Sequence, residues 1–559
     1  MSWIDWLVLT GTLLFIVIYG TIKSRKNADI DDYLKNDRKL KWWQIGISVM
    51  ATQASAITFI SVPGQAFEDG MGFVQFYFGL PIAMVILIVF IIPIYHKLNV
   101  FTAYEYLEDR FDVRVRQLTS FLFLIQRSLA AGITIYAPAI ILSIVFGWSL
   151  SITAIIIGVL VIIYTVSGGS KAVSITQQHQ MTVMIVGIIV AMIYIIYKVT
   201  QSVPFDHSLQ ILKTSGKLNI IDTKFSWNNR YNIWSGIIAG TFLQLAYFGA
   251  DQSQVSRYLG GRSLREIKLG LTFNAVFKIP MQLLILFTGV MLFVFYVYTK
   301  PPIWFNTVEL GQLKQSSYVY QIDSLQKKFD VQYTDLQSAV GISNYNKEAI
   351  QKYNTDVKGI KKNIAMLSAK MKDKNPEKAK TDGDFVFIHF ILHYMPVGMV
   401  GLLFAVILCA GMSSKSSELN ALSAATVMDF YKRSFVRNKP ELHYVKVSKI
   451  TTAIWGFVSI GFALIFSLFD NLIEAVNIIG SLFYGVILGI FLTGFFFKKI
   501  TASPLLLAAL LAEIVVITTF VLERADLLDF SYMWLNPLGC LGVMVFALFL
   551  QPLFRKKNA

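Results

Sequence analysis

Four hydroxyls fall within five residues at Ser413-Ser414-Lys415-Ser416-Ser417, with Glu418 next, inside an otherwise apolar run. Clustered oxygen atoms near mid-membrane suit a small hard cation, which prefers oxygen ligands to softer donors. Serines that bond back to their own helix explain one or two such hydroxyls, and explain four less well. A second polar stretch, Ala51-Thr52-Gln53-Ala54-Ser55-Ala56-Ile57-Thr58 followed by Pro63-Gly64, combines small side chains and hydroxyls with the signs of a helix break. Backbone carbonyls released there would complete an oxygen shell. A third stretch, Gln244 to Gln252, is polar and interrupted by glycine. Small residues also let helices approach closely, so either of these last two stretches alone fits packing equally well. Together they point to a binding site.

The elements that must position these residues follow from composition. The 559 residues are 55% hydrophobic and only 15% charged, with a mean hydropathy of +0.57, whereas soluble domains carry about 25% charged residues. Repeated continuous apolar runs of about 20 residues each suffice to cross ~30 Å of hydrocarbon. They do not alternate as barrel strands do. The chain therefore reads as an all-α polytopic membrane protein with thirteen transmembrane helices. The expected crossings are Trp6–Ile22, Trp43–Val62, Phe73–Tyr95, Leu118–Phe146, Leu150–Val166, Met181–Tyr197 and Asn232–Gly249. Leu269–Tyr298, Pro396–Val427, Ile450–Phe469, Leu472–Phe497, Pro504–Leu522 and Ser531–Leu553 complete the set.

Every second connection is rich in lysine and arginine, from Lys23-to-Lys41 through Arg257-to-Lys268 to Arg555, Lys556 and Lys557. The positive-inside rule then sets the N-terminus outside and the C-terminus in the cytoplasm, which an odd number of crossings also requires. The location implied is the plasma (inner) membrane, with the lipid bilayer as a partner. The net charge of +16 lies mostly in loops and one insert, so no nucleic-acid partner is implied. Cys409 and Cys540 sit in apolar runs and form no metal-ligand spacing.

Crossings two to six and seven to eleven read as two five-helix repeats, with the polar second and seventh crossings in corresponding places. Five is odd, so the second repeat is inverted relative to the first. Paired discontinuous helices are the strongest sequence pointer to a transporter's central site. The organisation expected is an extra N-terminal helix at 1–22 and a first five-helix repeat at 43–197. A second, inverted repeat at 232–497 is interrupted by a polar external insert at 300–384, and two C-terminal helices with a short cytoplasmic tail occupy 504–559. Within the insert, Ser324–Leu336 and Lys347–Met371 have mixed-charge helical character, and Asp373–Asp384 reads as a looser stretch.

At these residues the sequence resembles the sodium/solute symporter family, which includes sodium–glucose and sodium–iodide transporters. The resemblance rests on Tyr104-Glu-Tyr-Leu-Glu-Asp-Arg-Phe111, Tyr136-Ala-Pro-Ala139, Gly168-Gly-Ser-Lys-Ala-Val173 and Asp251-Gln-Ser-Gln-Val-Ser-Arg-Tyr-Leu259 followed by Arg262-Ser263. It implies a sodium site formed by Ala51, Ala54, Ala410, Ser413 and Ser414. A second cation site in some members uses hydroxyls and an aspartate. Ser413, Ser416 and Ser417 match the hydroxyls, whereas Gln177 stands at the aspartate position. The resemblance further implies solute contacts at Gln53, Tyr77, Gln244, Tyr247, Lys278 and Asn477, with Tyr247 as an inner gate. Tyr77, Leu80 and Ala130 replace side chains that the sugar transporters use for sugar hydroxyls. Lys278 could instead attract a carboxylate.

The function implied is sodium-coupled import of a small polar solute by alternating access, the solute being sugar-like first and a carboxylate or anion next. The partners are then sodium and that solute, with no cofactor besides the co-transported ion. Proton coupling on the same fold, suggested by Gln177 and Lys415, and a membrane solute sensor are the alternatives. No nucleophile–base–orienter set can be assembled, so no enzyme is expected, and no Walker motif supports ATP-driven pumping. Arg127 lies inside the fourth crossing as a structural partner or a counter-charge for an anion. Glu474 and Glu513 are buried carboxylates without assigned partners.

Overall fold

The computed structural model of the protein describes residues 1–24, 40–98, 100–339, 346–372, 376, 382–465 and 472–554. Most of the basic stretch after the first crossing, most of 373–384 and the tail at 555–559 lie outside the described residues. The apolar runs fold as helices because lipid offers no partner to a free backbone N–H or C=O.

Helix α1 (Trp3–Ser24) opens the chain. It is followed by α2 (Trp42–Gln53) and α3 (Ala56–Asp69), an apolar pair bent by 63°. Next come α4 (Met71–Leu98), α5 (Val113–Phe146), α6 (Leu150–Gly169) and α7 (Val173–Thr200). Gly169 separates α6 from α7 by adopting φ 60° and ψ −167°, a conformation closed to other residues at little cost only for glycine. After the short α8 (Phe205–Thr214), α9 (Ser235–Gly249) leads through Ala250 and Asp251 into α10 (Gln252–Leu259) and α11 (Leu264–Tyr298).

Four helices make the polar segment and its return to the bundle: α12 (Thr307–Lys314), α13 (Val319–Ala339), α14 (Lys347–Met371) and α15 (Val386–Tyr394). The chain closes with α16 (Met399–Phe435), α17 (Glu441–Ile465), α18 (Leu472–Phe496), α19 (Ala502–Arg524) and α20 (Tyr532–Phe554). Among the described residues ten helices are long and apolar enough to cross a membrane, or eleven if the bent α2–α3 pair is one span. The apolar stretches Trp3–Ile16 and Ser235–Gly249 are shorter. The expected crossings overlap these helices or the bent pair, and the part of Ile450–Phe469 beyond Ile465 lies outside the described residues.

The two ends of the bundle are held differently. At one end Asp429 of α16 accepts hydrogen bonds from Arg116 (2.7 Å), Thr102 (2.6 Å) and Ser120 (2.8 Å), a buried acceptor surrounded by donors. At the other end α12–α14 build a helical cap with its own small core of Trp304, Leu313, Ile322, Phe329 and Ile364. The cap is seated on α3 by close backbone contact. A Cβ on Gly64 would lie 2.0 Å from the Gly383 carbonyl oxygen, so only glycine lets the two segments meet there.

Candidate functional site

The bend between α2 and α3 frees backbone oxygens. Ala54 N–H still reaches the Met50 carbonyl (2.8 Å), but Ser55 N–H turns to Gln53 (3.1 Å) and Thr58 N–H to Ser55 (2.9 Å). Ala51 and Ala54 carbonyls therefore lose the partners four residues on that an unbroken helix supplies. The unwinding is at Ala54–Ser55, whereas Pro63 and Gly64 remain inside α3. Opposite the break, the Ser413 hydroxyl donates to the Ala51 carbonyl at 3.0 Å. Ser414 donates to Ala410 at 3.1 Å along its own helix. The five residues expected around sodium thus divide between the broken segment and one turn of α16, with Ser413 bridging the two.

The second expected cation position has a different character. Gln177 of α7 accepts from Ser48 (2.5 Å) and donates to Thr52 (3.1 Å), Ser417 (2.8 Å) and the Ser413 carbonyl (3.4 Å). Its amide ties α2, α7 and α16 together without adding charge. Ser416 is not part of that network; it bonds back to the Ser413 carbonyl of its own helix at 3.1 Å.

Beside Ser414 lies a compact cavity of about 110 Å³, bounded by α2, α3, α4, α5, α9, α16 and α18. Gln53, Tyr77, Gln244, Tyr247 and Asn477, five of the six residues named for solute contact, line it. Buried amide oxygens there lack a hydrogen-bond partner among the described residues: Gln53 Oε1, Gln126 Oε1 and Gln244 Oε1. Leaving such a group unmet costs roughly 1–3 kcal/mol, so the cavity is prepared for a polar guest. Lys278 does not line it. Its ammonium is buried behind Tyr77, 5.6 Å from the ring centroid, and has no hydrogen-bond partner among the described residues.

The side of the cavity away from the cap carries a charge network that spacing did not reveal. Arg127 pairs with Asp251, reaches Glu418 (3.3 Å) and donates to Tyr484 (2.8 Å). Tyr484 in turn donates to Asp251 (2.8 Å), and Thr134 donates to Glu418 (2.8 Å). Asp251 also caps α10 by accepting from Ser253 N–H at 2.8 Å. One arginine thus fastens α5, the α9–α10 break, α16 and α18. Tyr247 closes over the network, with its ring 5.6 Å from the guanidinium and its hydroxyl accepting from Gln254 at 2.6 Å. Lys415, which the sequence offered as a partner for Glu418, instead donates to the Ala131 carbonyl at 2.6 Å. Glu474 pairs with Arg230 at 2.8 Å. Glu513 has no hydrogen-bond partner among the described residues.

The sodium:solute symporter family model matches residues 33–310 and 364–512. The chain belongs to that family. It is similar to the sodium/sialic acid symporter of Proteus mirabilis, 26% identical over 99% of this chain and 96% of that one. The sodium/sialic acid symporter of Aliivibrio fischeri is 25% identical over 99% and 94%. The human sodium/iodide cotransporter is 29% identical over 53% of this chain and 45% of its own. Among solved structures, a Na+-coupled sialic acid symporter in a substrate-bound outward-open state aligns with a TM-score of 0.76 at 25% identity. That alignment covers 99% of this chain and 98% of the other. The family match passes over most of α13 and α14, between residues 310 and 364.

Proposed function

We propose that this family member couples inward sodium flow to import of a small hydroxyl-rich solute, a sugar or sugar acid, across the plasma membrane. The observation that carries this reading is the position of Ser414. Its hydroxyl belongs to the oxygen cluster at the α2–α3 break, and the same residue lines the cavity with the unmet amides. Sodium held by the carbonyls of Ala51, Ala54 and Ala410 and the hydroxyls of Ser413 and Ser414 would order the break. The solute would bind next to it, against Gln53, Gln244 and Asn477, with Tyr247 closing the path toward the cytoplasm.

The breaks at α2–α3 and α9–α10 support an inverted repeat of five plus five helices, whose rocking would expose both ligands in turn. Each ligand needs only to favour the same state, since a coupling of 1–3 kcal/mol changes affinity about 5–150-fold. Arg127 faces two carboxylates, which offset its charge. A solute recognised by hydroxyl hydrogen bonds therefore suits the cavity better than a bare inorganic anion. The names of the sialic acid relatives favour a solute joining both features, a carboxylated sugar. Because Gln177 supplies an amide where a charge would be needed, one sodium per cycle is the stoichiometry that fits.

The test is uptake into vesicles reconstituted with the purified protein under an imposed sodium or proton gradient. Labelled hexoses, sialic acid, inositol, monocarboxylates and inorganic anions would be compared. The expected result is sodium-driven accumulation of a hydroxylated solute. Accumulation driven by a pH gradient alone, or restricted to inorganic anions, would refute it.

A further inference from the structure

A cavity roomier than the one in the bundle centre lies elsewhere in the molecule. Between the cap and the outer end of α3 lies a second space of about 580 Å³, within the ~300–1,000 Å³ range of sites that enclose small organic molecules. Its walls are aromatic faces contributed by separate parts of the chain: Phe67 from α3, Phe293 and Tyr296 from α11, Phe305 from the following linker, and Phe329 and Tyr353 from the cap.

Four ammonium groups border these faces, on Lys217, Lys358, Lys361 and Lys362. Lys217 is fixed by the Phe67 and Glu68 carbonyls (2.7 and 2.6 Å), where it caps the C-terminal end of α3, and lies 4.7 Å from the Phe293 ring centroid. Lys361 stands 4.3 Å from the Phe305 ring centroid and 3.3 Å from Asp382. Lys358 is 4.0 Å from Asp69. Set against Glu68, Asp69 and Asp382, the four lysines leave a formal excess of one positive charge. Low-dielectric walls around such an excess concentrate anions.

We infer that this cavity binds an organic monoanion with a flat apolar or aromatic body, at a site separate from the central cavity. The aromatic faces take the body and the lysines take the charge. The separation follows from α3, whose Ile57 and Thr58 line the central cavity while Phe67 and Asp69 line this one. Its 14 residues span about 21 Å at 1.5 Å per residue. Phe329, Tyr353, Lys358, Lys361 and Lys362 all fall between residues 310 and 364, outside the family match. The cap-side wall of the site thus lies outside the family match, while Phe67, Lys217, Phe293, Tyr296 and Phe305 lie within it.

The probe is 4-fluorobenzoate, with uncharged 4-fluorobenzyl alcohol as its control, followed by ¹⁹F line broadening on the full-length protein in lipid nanodiscs. The expected result is saturable broadening of the benzoate signal and weaker broadening of the alcohol. Lys358→Gln with Lys362→Gln, both at solvent-exposed positions, should weaken benzoate binding at least threefold. Ser413→Ala with Ser414→Ala should leave it unchanged. The absence of saturable broadening, equal binding of the alcohol, or a lysine effect below threefold would overturn the inference. Loss of binding in the serine pair would place the anion in the central cavity and overturn it too.

Discussion

The two cavities joined by α3 solve recognition in opposite ways. The central one is small and its polar atoms are amides, hydroxyls and released carbonyls. The charges at its edge, Arg127 with Asp251 and Glu418, are paired and leave a formal excess of one negative charge. The outer one is larger, walled by aromatic rings and left with a positive excess. Desolvation accounts for the contrast. An unpaired charge deep in a bilayer costs several kcal/mol, so the charges at the central cavity are met by pairing and its ion site by neutral oxygen dipoles. Lys278 and Glu513, by contrast, are buried away from it without a hydrogen-bond partner among the described residues. At the outer cavity Lys358 and Lys362 are solvent-exposed and keep their hydration, whereas Lys361 is buried and pairs with Asp382.

The sharpest way to break the comparison is at the ion-handling end. Ser413→Ala with Ser414→Ala removes two hydroxyls proposed to face sodium. Interactions with a charged group are worth roughly 1.5–3 kcal/mol each, so sodium-stimulated uptake should fall by on the order of 100-fold or more. Folding, read by monodispersity in detergent, should persist. Sodium-dependent uptake unchanged by this pair would remove the site assignment.

Next in size is Arg127→Gln, which strands Asp251 and Glu418 in a dry setting. Losing one partner of a buried pair costs roughly 3–5 kcal/mol, so thermal unfolding should move to clearly lower temperature. Adding Asp251→Asn should recover part of the loss, because one of the two stranded charges is then gone. Gln177→Asp tests the neutral strut with a smaller expected change. A carboxylate beside Ser417 and Thr52 restores the charge that the resemblance associates with a second cation. Uptake against sodium concentration should turn from hyperbolic to sigmoidal. A curve that stays hyperbolic with unchanged half-saturation would show that the amide is not what limits the stoichiometry.

Features carried by local spacing were legible in the sequence, and features made by distant pairing were not. The apolar runs located the helices because length and hydropathy are local properties. The small, hydroxylated stretch around Ala51–Thr58 marked a helix that fails to continue, although the unwinding came at Ala54–Ser55 instead of near Pro63. The Arg127 network could not be read. Its members lie 124 to 357 residues apart on four helices, and nothing in periodicity says which buried charges meet. The same limit explains Lys415, for which Glu418 was the near neighbour in sequence while the Ala131 carbonyl was the near neighbour in space. Lys278 shows a subtler case. Its position was legible by motif, but Tyr77 lines the cavity while Lys278, 5.6 Å from that ring, does not, and only packing reveals which of the two faces the space.

The smallest expected effect concerns the cap alone, and separates its stability from that of the bundle. Glu309 accepts from Trp304 Nε1 at 2.8 Å and is engaged by Ser368 and Lys372. Burial by itself would raise its pKa, but the Lys372 ammonium and the two further donors outweigh that and hold the carboxyl below its ordinary value of 4.5. A carboxylate whose folded pKa is depressed stabilises the folded form above its unfolded pKa, and that contribution is lost as pH falls through the folded value. Limited proteolysis between α12 and α14 should therefore quicken as pH drops below about 4.5. Lys372 is partly exposed, so the pair is worth only about 1 kcal/mol. Glu309→Gln should make the cap more readily cut at neutral pH and flatten the acid dependence, while the membrane helices stay resistant. An acid response of the same size in Glu309→Gln would assign it to other carboxylates. Cleavage of cap and bundle in parallel would mean that the two regions unfold as one unit.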